Sequence, residues 1–196
     1  MSEIAKLIDD VIRLDLAKRL KAEGYRKSGR TFYLADDSRT AVVNVQGSKS
    51  NLGDEGTFTV NLGVYFPDVA QITNAIPFTG RFPREYNCTI RKRLGKLMSD
   101  GNDFWWTVSS DRSVDVLAKD VGDAWSEHGK LWIDRISDLE AAHAELLNQQ
   151  MFFIAAGVSL LRGRRDEAVE LVRQAESRQP RAAGRMQEWA RQHELV

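Results

Sequence analysis

Residues Thr57 to Phe66 are the stretch that most constrains how this chain can fold. Every even position in TFTVNLGVYF is apolar, whereas the odd positions hold Thr57, Thr59, Asn61, Gly63 and Tyr65. Strict alternation over a stretch of this length is typical of a β-strand with one face on a hydrophobic core. β-branched and aromatic side chains suit such a half-buried surface. The pattern therefore predicts a central strand.

The residues from Arg39 to Gln46 also alternate and predict a neighbouring strand. If the two strands pair antiparallel, their apolar faces coincide only when paired residue numbers add up to an odd value. A slip by one residue would send the whole apolar set to the wrong face. We expect a sum near 103, which sets Val43 opposite Val60 and Asn44 opposite Thr59.

The other elements predicted for the first two thirds of the chain place helices around this sheet. An apolar stripe at three- and four-residue steps predicts an N-terminal helix over residues 3 to 23. Residues 25 to 34 are predicted to be extended, and residues 68 to 76 a short helix. Weaker patterns predict strands over 88–94 and 104–108, which gives an antiparallel sheet of four to six strands. A helix from residue 111 to about 128, a break at Gly129 and a short helix over 131–136 follow.

The last third of the chain is predicted to be helical. A helix over 138–148 precedes helices over 151–161, 166–177 and 181–193. Small residues and a proline at Gly163, Ala168, Ala175 and Pro180 resemble one tetratricopeptide-like repeat, in which small side chains let two helices approach closely. We therefore predict an α+β fold, with a sheet domain over residues 1–136 and a C-terminal helical segment over 137–196 packed on it or appended to it.

Composition excludes several classes of protein. Lys plus Arg and Asp plus Glu are both 28, so the formal net charge is zero. General binders of nucleic acid or anionic membranes need a basic surplus, so we expect neither partner. The N-terminal residues lack a basic and then apolar leader, and the apolar run Met151 to Leu161 is about half of what spans a bilayer. We expect a cytoplasmic protein.

Three segments resemble an uncharacterised bacterial family, the domain-of-unknown-function family 4304. They are GYRKSGRTFY from Gly24, VVNVQ from Val42 and FTVNLGVY from Phe58. The resemblance covers roughly residues 4 to 135 and includes Trp105, Trp106 and the helix after them. It implies an α+β domain and implies no activity, cofactor or catalytic residue.

The polar face of the predicted sheet is the first candidate binding surface. It would hold the side chains of Asn44, Gln46, Thr59, Asn61 and Tyr65. Carboxamides both donate and accept hydrogen bonds, so this face could bind a polar ligand or an extended peptide. Gly63 would leave a gap where a ligand or another backbone could approach. The alternative is a solvated face, or one covered by a helix.

Trp105 and Trp106 are the second candidate. Adjacent strand residues point to opposite faces, so one indole should lie in the core and the other on the outer face. An exposed tryptophan is enriched at interaction hot spots. The alternative is that the C-terminal helices cover it.

No pattern of catalytic residues stands out. Cys88 is the sole cysteine and has no nucleophile motif around it, so we interpret it as a small buried hydrophobe. The three histidines lack a metal-ligand spacing, and we expect no metal or cofactor. The basic cluster Arg91, Lys92, Arg93 and Lys96 is interpreted as a solvated face that could also meet an acidic partner.

These observations lead to two functional hypotheses. The first is a non-catalytic protein-binding module, of an adaptor or immunity-like kind, whose partner is another protein. The alternative is a binder of a small polar ligand, or an enzyme acting on one, that uses the amide-lined outer sheet face.

Overall fold

The computed structural model describes residues 2–51, 53–74, 81–98 and 101–195 and has an α+β fold, as predicted. A six-stranded antiparallel sheet is its centre, with the strand order β1-β2-β3-β4-β5 and β6 paired to β4. β5 and β6 share one edge of β4, because β5 pairs with residues 61–64 and β6 with residues 55–58. The strands are β1 Arg26–Ser28, β2 Thr31–Ala35, β3 Thr40–Gly47, β4 Glu55–Tyr65, β5 Ile90–Arg93 and β6 Trp106–Ser109.

Two long helices contain a π-helical segment. Helix α1 consists of Glu3–Val11, the π-helical Ile12–Leu16 and Ala17–Ala22, and helix α3 consists of Val114–Ala124, the π-helical Trp125–Gly129 and Lys130–Arg135. The remaining helices are α2 Pro67–Ile72, α4 Leu139–Asn148, α5 Phe152–Leu161, α6 Arg165–Arg178 and α7 Ala183–Gln192.

Helices α1 and α3 pack on the apolar face of the sheet, which we call the inner face. The even-numbered side chains of β4, from Phe58 to Val64, are completely buried there. The indoles of Trp106, Trp125 and Trp132 fill the space between helices and sheet. The alternation in the sequence therefore marks the core correctly.

Four sequence predictions are corrected in detail. The β3–β4 pairs add up to 105 and not to 103, so Val43 lies opposite Leu62 and Asn44 opposite Asn61. Residues 25 to 34 form a hairpin of two strands, because Gly29 turns the chain with a φ of 60°. Gly129 does not break α3, since the π-helical segment carries the helix through it.

The fourth correction concerns the short helix after β4. The helix predicted over residues 68 to 76 ends at Ile72 in the structure, and Asn74 follows with a φ of 52°. Residues 75 and 76 of that prediction lie outside the described residues.

Helices α5 and α6 form the predicted helical hairpin, with Gly163 in the turn at a φ of 73°. Its likeness to a tetratricopeptide repeat, and the domain boundary at residue 136, remain predictions. The segment packs on α2: Gly157 approaches Thr73 closely, and Trp189 Nε1 donates to the carbonyl of Ile72 at 2.6 Å. Among the described residues, no helix is both long and apolar enough to cross a membrane.

Candidate functional site

A ladder of amide side chains crosses the outer face of strands β2, β3 and β4. Asn61 Nδ2 donates to Gln46 Oε1 at 2.9 Å and to Asn44 Oδ1 at 3.4 Å. Asn44 Nδ2 in turn donates to Thr31 Oγ1 at 2.8 Å. Asn61 and Thr31 are buried, whereas Asn44 and Gln46 are half-buried. The amides therefore satisfy one another, and Gln46 and Asn44 are the members that solvent reaches.

Connecting segments, one of which contains the short 3₁₀ helix Glu85–Asn87, cover part of this outer face. The ring of Phe82 stacks on Tyr33 with 4.6 Å between centroids, and both belong to a small apolar cluster with Val42. Thr59 is completely buried, and its hydroxyl donates to the carbonyl of Phe104 at 3.4 Å. Tyr65 is half-buried at the end of β4, where burial raises the pKa of its hydroxyl.

The gap expected at Gly63 is filled by the side chain of Cys88. A Cβ atom built on Gly63 would lie 2.6 Å from Cys88 Sγ and 2.8 Å from Cys88 Cβ. These distances are far inside van der Waals contact, so only glycine fits beside the thiol. Gly63 therefore receives a part of the chain itself and leaves no room for a ligand.

The two tryptophans point to opposite faces, as predicted. Trp106 lies in the core, stacks on Phe58 and donates from Nε1 to Asp120 at 2.8 Å. Trp105 is half-buried on the outer side, with the guanidinium of Arg93 5.1 Å from its ring centroid. Of the two, only Trp105 is placed to contact a partner.

Strand β5 brings three consecutive basic residues to one edge of the sheet. Arg93 lies opposite Asn61 and Arg91 opposite Gly63, so both are on the outer face, while Lys92 is opposite Leu62 and on the inner face. The next turn adds the exposed side chain of Lys96. The basic cluster of the sequence is therefore an edge strand and the turn after it.

An open cleft of about 490 Å³ runs along this edge, which we call the β5 cleft. It lies between the strand and the connection from α4 to α5. Its lining residues are Gln46, Asn61, Leu62, Glu85, Arg91, Lys92, Arg93, Lys96, Gln149 and Met151. A second cleft of about 370 Å³ shares Arg91 and Met151 with the first and reaches the exposed ring of Tyr86.

The basic side chains of the β5 cleft have acidic partners of different strength. Arg91 contacts Glu85 at 3.3 Å, and the Arg91 side chain is half exposed. Arg93 forms an ion pair with Asp103. Exposed pairs of this kind contribute little to stability and exchange readily. Lys96 has no ion pair among the described residues, so it is available to an incoming carboxylate.

Lys92 is held more firmly by the buried carboxylate of Glu145. Glu145 Oε1 accepts from Lys92 Nζ at 2.9 Å, from Trp132 Nε1 at 3.1 Å and from Gln149 Nε2 at 2.8 Å. Burial alone would raise the pKa of this carboxyl, but the three donors outweigh it and hold the pKa below its usual value. This cluster fixes the inner wall of the β5 cleft.

The thiol of Cys88 does not line the β5 cleft and packs in the small apolar cluster on the outer face. Burial raises the pKa of the Cys88 thiol, which disfavours the reactive thiolate. Among the described residues, no group of three or more His, Cys, Asp or Glu side chains is placed to hold a metal ion.

A serine, a histidine and a glutamate meet between α4, α5 and α6. Ser159 Oγ lies 2.9 Å from His143 Nε2 and donates to Glu167 Oε2 at 2.9 Å. A hydroxyl has one hydrogen, so His143 Nε2 must be the donor to Ser159. In this arrangement the imidazole donates to the serine hydroxyl, and Ser159 is completely buried. This cluster joins three helices.

The structure brings most of the predicted binding residues together. Asn44, Gln46, Thr59 and Asn61 share one patch, and Trp105 borders it through Arg93. Tyr65 lies at the far end of β4, and Trp106 belongs to the core. The prediction missed that Arg91, Arg93, Glu85 and Gln149 line the same cleft. The basic run on a predicted strand was the signal for Arg91 and Arg93, but their position beside Asn61 became visible only with the β4–β5 register. Glu85 and Gln149 had no signal in the sequence.

Comparison with known proteins agrees with the resemblance seen in the sequence. Searches of curated proteins and of solved structures found no significant match. The model of a family described as a domain of unknown function, DUF4304, matches residues 16–135. This match begins within α1, contains the entire sheet and ends with α3. Because it covers more than half of the chain, the chain belongs to the DUF4304 family.

Proposed function

We propose that this protein is a non-catalytic, cytoplasmic protein-binding module, of an adaptor or immunity-like kind, and that it binds its partner in the β5 cleft. The observation that carries the proposal is the convergence in one open cleft of Arg91, Arg93, Lys96 and the amide of Gln46. Arginine and aromatic side chains are enriched where protein partners bind, and Trp105 and Tyr86 stand beside this cleft.

The chemistry of the cleft supports recognition and not bond breaking. Its polar groups are guanidinium, ammonium and carboxamide, which hold carboxylates and backbone amides in place, and one carboxylate, that of Glu85, which is paired with Arg91 at 3.3 Å. The carboxylate of Glu145 accepts three hydrogen bonds at one oxygen, so it is a support for Lys92 and is poorly suited as a base. These features favour a surface that binds without reacting.

Recovery of partners from the native host tests the proposal. The variant Arg91→Ala with Lys96→Ala removes two exposed positive charges from the cleft. A matched control, Lys6→Ala with Lys18→Ala, removes two exposed positive charges from α1. We expect the cleft variant to lose a partner that the wild-type protein and the control both retain, while all three have the same thermal stability.

Equal recovery of every partner by the three proteins would contradict the proposal. If Arg91→Ala with Lys96→Ala loses a partner and is also less stable than the wild type, the single variant Lys96→Ala is tested in its place. Lys96 makes no ion pair among the described residues, so its removal should leave the fold intact.

A second candidate is a small polar ligand in the same cleft. It is favoured by the volume of about 490 Å³, which falls within the range of ligand pockets. Mass-spectrometric profiling of the purified protein tests it: a compound that copurifies with the wild type and the α1 control, but not with the cleft variant, would support this function over a protein partner.

A further inference from the structure

We infer that the partner presents an acidic, extended segment that pairs as an additional strand with the free edge of β5. The inference rests on the proposed function and specifies the partner's chemistry. It starts from the backbone of the strand. β5 pairs on one side with β4, and none of its residues makes another backbone hydrogen bond within the described part of the chain. An edge of this kind can pair with a further strand.

The residues that line the β5 cleft indicate that the free edge of β5 lies inside this cleft. Arg91 and Arg93 belong to the outer face of the sheet, and Lys92 belongs to the inner face. All three nevertheless line the same cleft. The cleft also reaches from Asn61 on the outer face to Gln149, which bonds Glu145, the inner-face partner of Lys92. It therefore passes the edge of β5, which is the position of the next strand in a sheet.

The charges along the edge select the sequence of the added strand. Side chains of paired residues lie next to each other on the same face, so positions opposite Arg91, Lys92 and Arg93 would each have a basic neighbour. Acidic residues opposite Arg91 and Arg93 therefore match the outer face of the strand, whereas Lys92 is already paired with Glu145. Two copies of this chain could not pair through β5, because each would bring the same basic residues.

Phase-selective methylation of a peptide tests strand pairing directly. The probe is a fluorescent peptide with blocked ends and four consecutive glutamates between serine and glycine residues. Two further peptides are methylated at alternate backbone nitrogens. One carries the methyl groups at the odd positions and the other at the even positions, and we call these the two phases. Alternate N–H groups of a strand point to the same edge, so only one phase should interfere. We expect that phase to bind at least about tenfold more weakly, and the other to bind like the parent peptide.

Charge is tested in the same assay with the full-length protein. We expect at least about a tenfold loss of peptide binding in Arg91→Glu with Lys96→Glu, and no loss in the control Lys6→Glu with Lys18→Glu. A lysine version of the peptide should not bind. Equal binding of both methylation phases, or of the acidic and lysine peptides, would overturn the inference. Equal competition by a single-stranded oligonucleotide would do so as well, because it would indicate binding of any polyanion.

The two proposals fail in different ways. If the acidic peptide does not bind, but Arg91→Ala with Lys96→Ala still abolishes partner recovery, the strand-pairing inference is wrong and the binding function stands. If all variants recover the same partners, the binding function in the β5 cleft is wrong.

Discussion

The contact between Gly63 and Cys88 shows how tightly single residues are fitted on the outer face. A side chain at Gly63 would collide with the cysteine, whose Cβ is part of the rigid backbone frame. We predict that Gly63→Ala lowers the free energy of unfolding by about 1–3 kcal/mol, as measured by urea denaturation.

Gly184 offers a matched control for that substitution. It lies in α7, and no other group comes within 4 Å of the position that a Cβ atom would occupy there. We expect Gly184→Ala to leave stability unchanged or to raise it by up to about 1 kcal/mol, because alanine is the better helix former. A neutral Gly63→Ala would show that Cys88 can move aside.

Glu145 is the residue whose charge should be visible in the pH dependence of stability. Its pKa is lowered from 4.5 in the folded protein, where burial opposes and three hydrogen bonds favour the carboxylate. A carboxyl whose pKa is lower in the folded than in the unfolded protein stabilises the fold at every pH above its unfolded-state pKa. This stabilisation is lost as the pH falls through the folded-state pKa. We predict that Glu145→Gln is less stable at pH 7 and loses less stability than the wild type from about pH 5 to pH 3.

Urea denaturation at a series of pH values measures this difference. Glu176→Gln is a suitable control, because the Glu176 side chain has no ion pair among the described residues and is only half-buried. Parallel pH profiles for the wild type and Glu145→Gln would contradict the prediction.

At the scale of elements, Arg39 joins the start of β3 to the end of α3. Its Nη1 donates to the carbonyls of Ile133 and Ile136 at the C-terminal end of the helix, where the carbonyl of Ile133 also accepts from the N–H of Ile136 at 3.1 Å. We predict that Arg39→Met, which keeps the aliphatic stem and removes the donors, lowers stability by about 1–3 kcal/mol. Calorimetry or urea denaturation measures the loss.

Arg26 provides the comparison for Arg39. It is exposed on the edge strand β1, so Arg26→Met should change stability by no more than about 0.5 kcal/mol. If both substitutions have equally small effects, solvent replaces the Arg39 contacts without cost.

The pairing of β3 and β4 shows what an alternating sequence can and cannot predict. Alternation determines which faces coincide, so the odd sum of paired residue numbers was predicted correctly. It does not distinguish sums of 103 and 105, because a shift by two residues keeps every side chain on its face. The connection between β3 and β4 fixes the register, because the Asn51 side chain accepts from the N–H of Thr57 and donates to its carbonyl.

The continuous helix α3 shows a second limit. Gly129 predicted a break, but a π-helical segment absorbs it, and the small residue lets the ring of Trp125 lie against the backbone. A similar contact joins α3 to α1, where Arg19 binds Asp15, Asp123 and Ser126. The contacts of Arg19 with Asp123 and Ser126 join residues more than a hundred positions apart, which local patterns do not reveal.

The candidate site was predictable in part for the same reason. The polar face of β3 and β4 followed from alternation alone. The position of Arg91 and Arg93 beside Asn61 required the pairing of β4 with β5. The cover over Gly63 comes from Cys88, directly after the three-residue 3₁₀ helix Glu85–Asn87, and so short an element has no periodic signal in the sequence.

At the scale of the whole molecule, the sheet and the C-terminal helices share one hydrophobic core. Buried residues from the sheet, such as Leu62, and from the helices, such as Leu146 and Trp189, belong to the same cluster. We predict that the full chain unfolds in a single cooperative transition, in which the calorimetric and van't Hoff enthalpies agree. Two separate transitions would mean that the segment over 137–196 is an independent domain.

The position of the β5 cleft follows from this arrangement. One wall is the edge of the sheet, and the other is the connection between α4 and α5, at Gln149 and Met151. Glu145 and Lys92 tie the two walls together. A partner bound in the cleft would therefore contact both parts of the molecule and stabilise their packing.

The sole cysteine, packed against Gly63, makes the outer face accessible to measurement by chemical labelling. Cys88 is buried and burial raises the pKa of its thiol, so an alkylating reagent should react slowly with it while the segment that carries it stays packed on the sheet. We expect labelling of the native protein to be much slower than that of a denatured sample, and faster in Gly63→Ala. Since the chain has no second thiol, the labelling rate reports how often the contact between Cys88 and Gly63 opens. Slower labelling in the presence of a partner would reveal binding before the partner is identified.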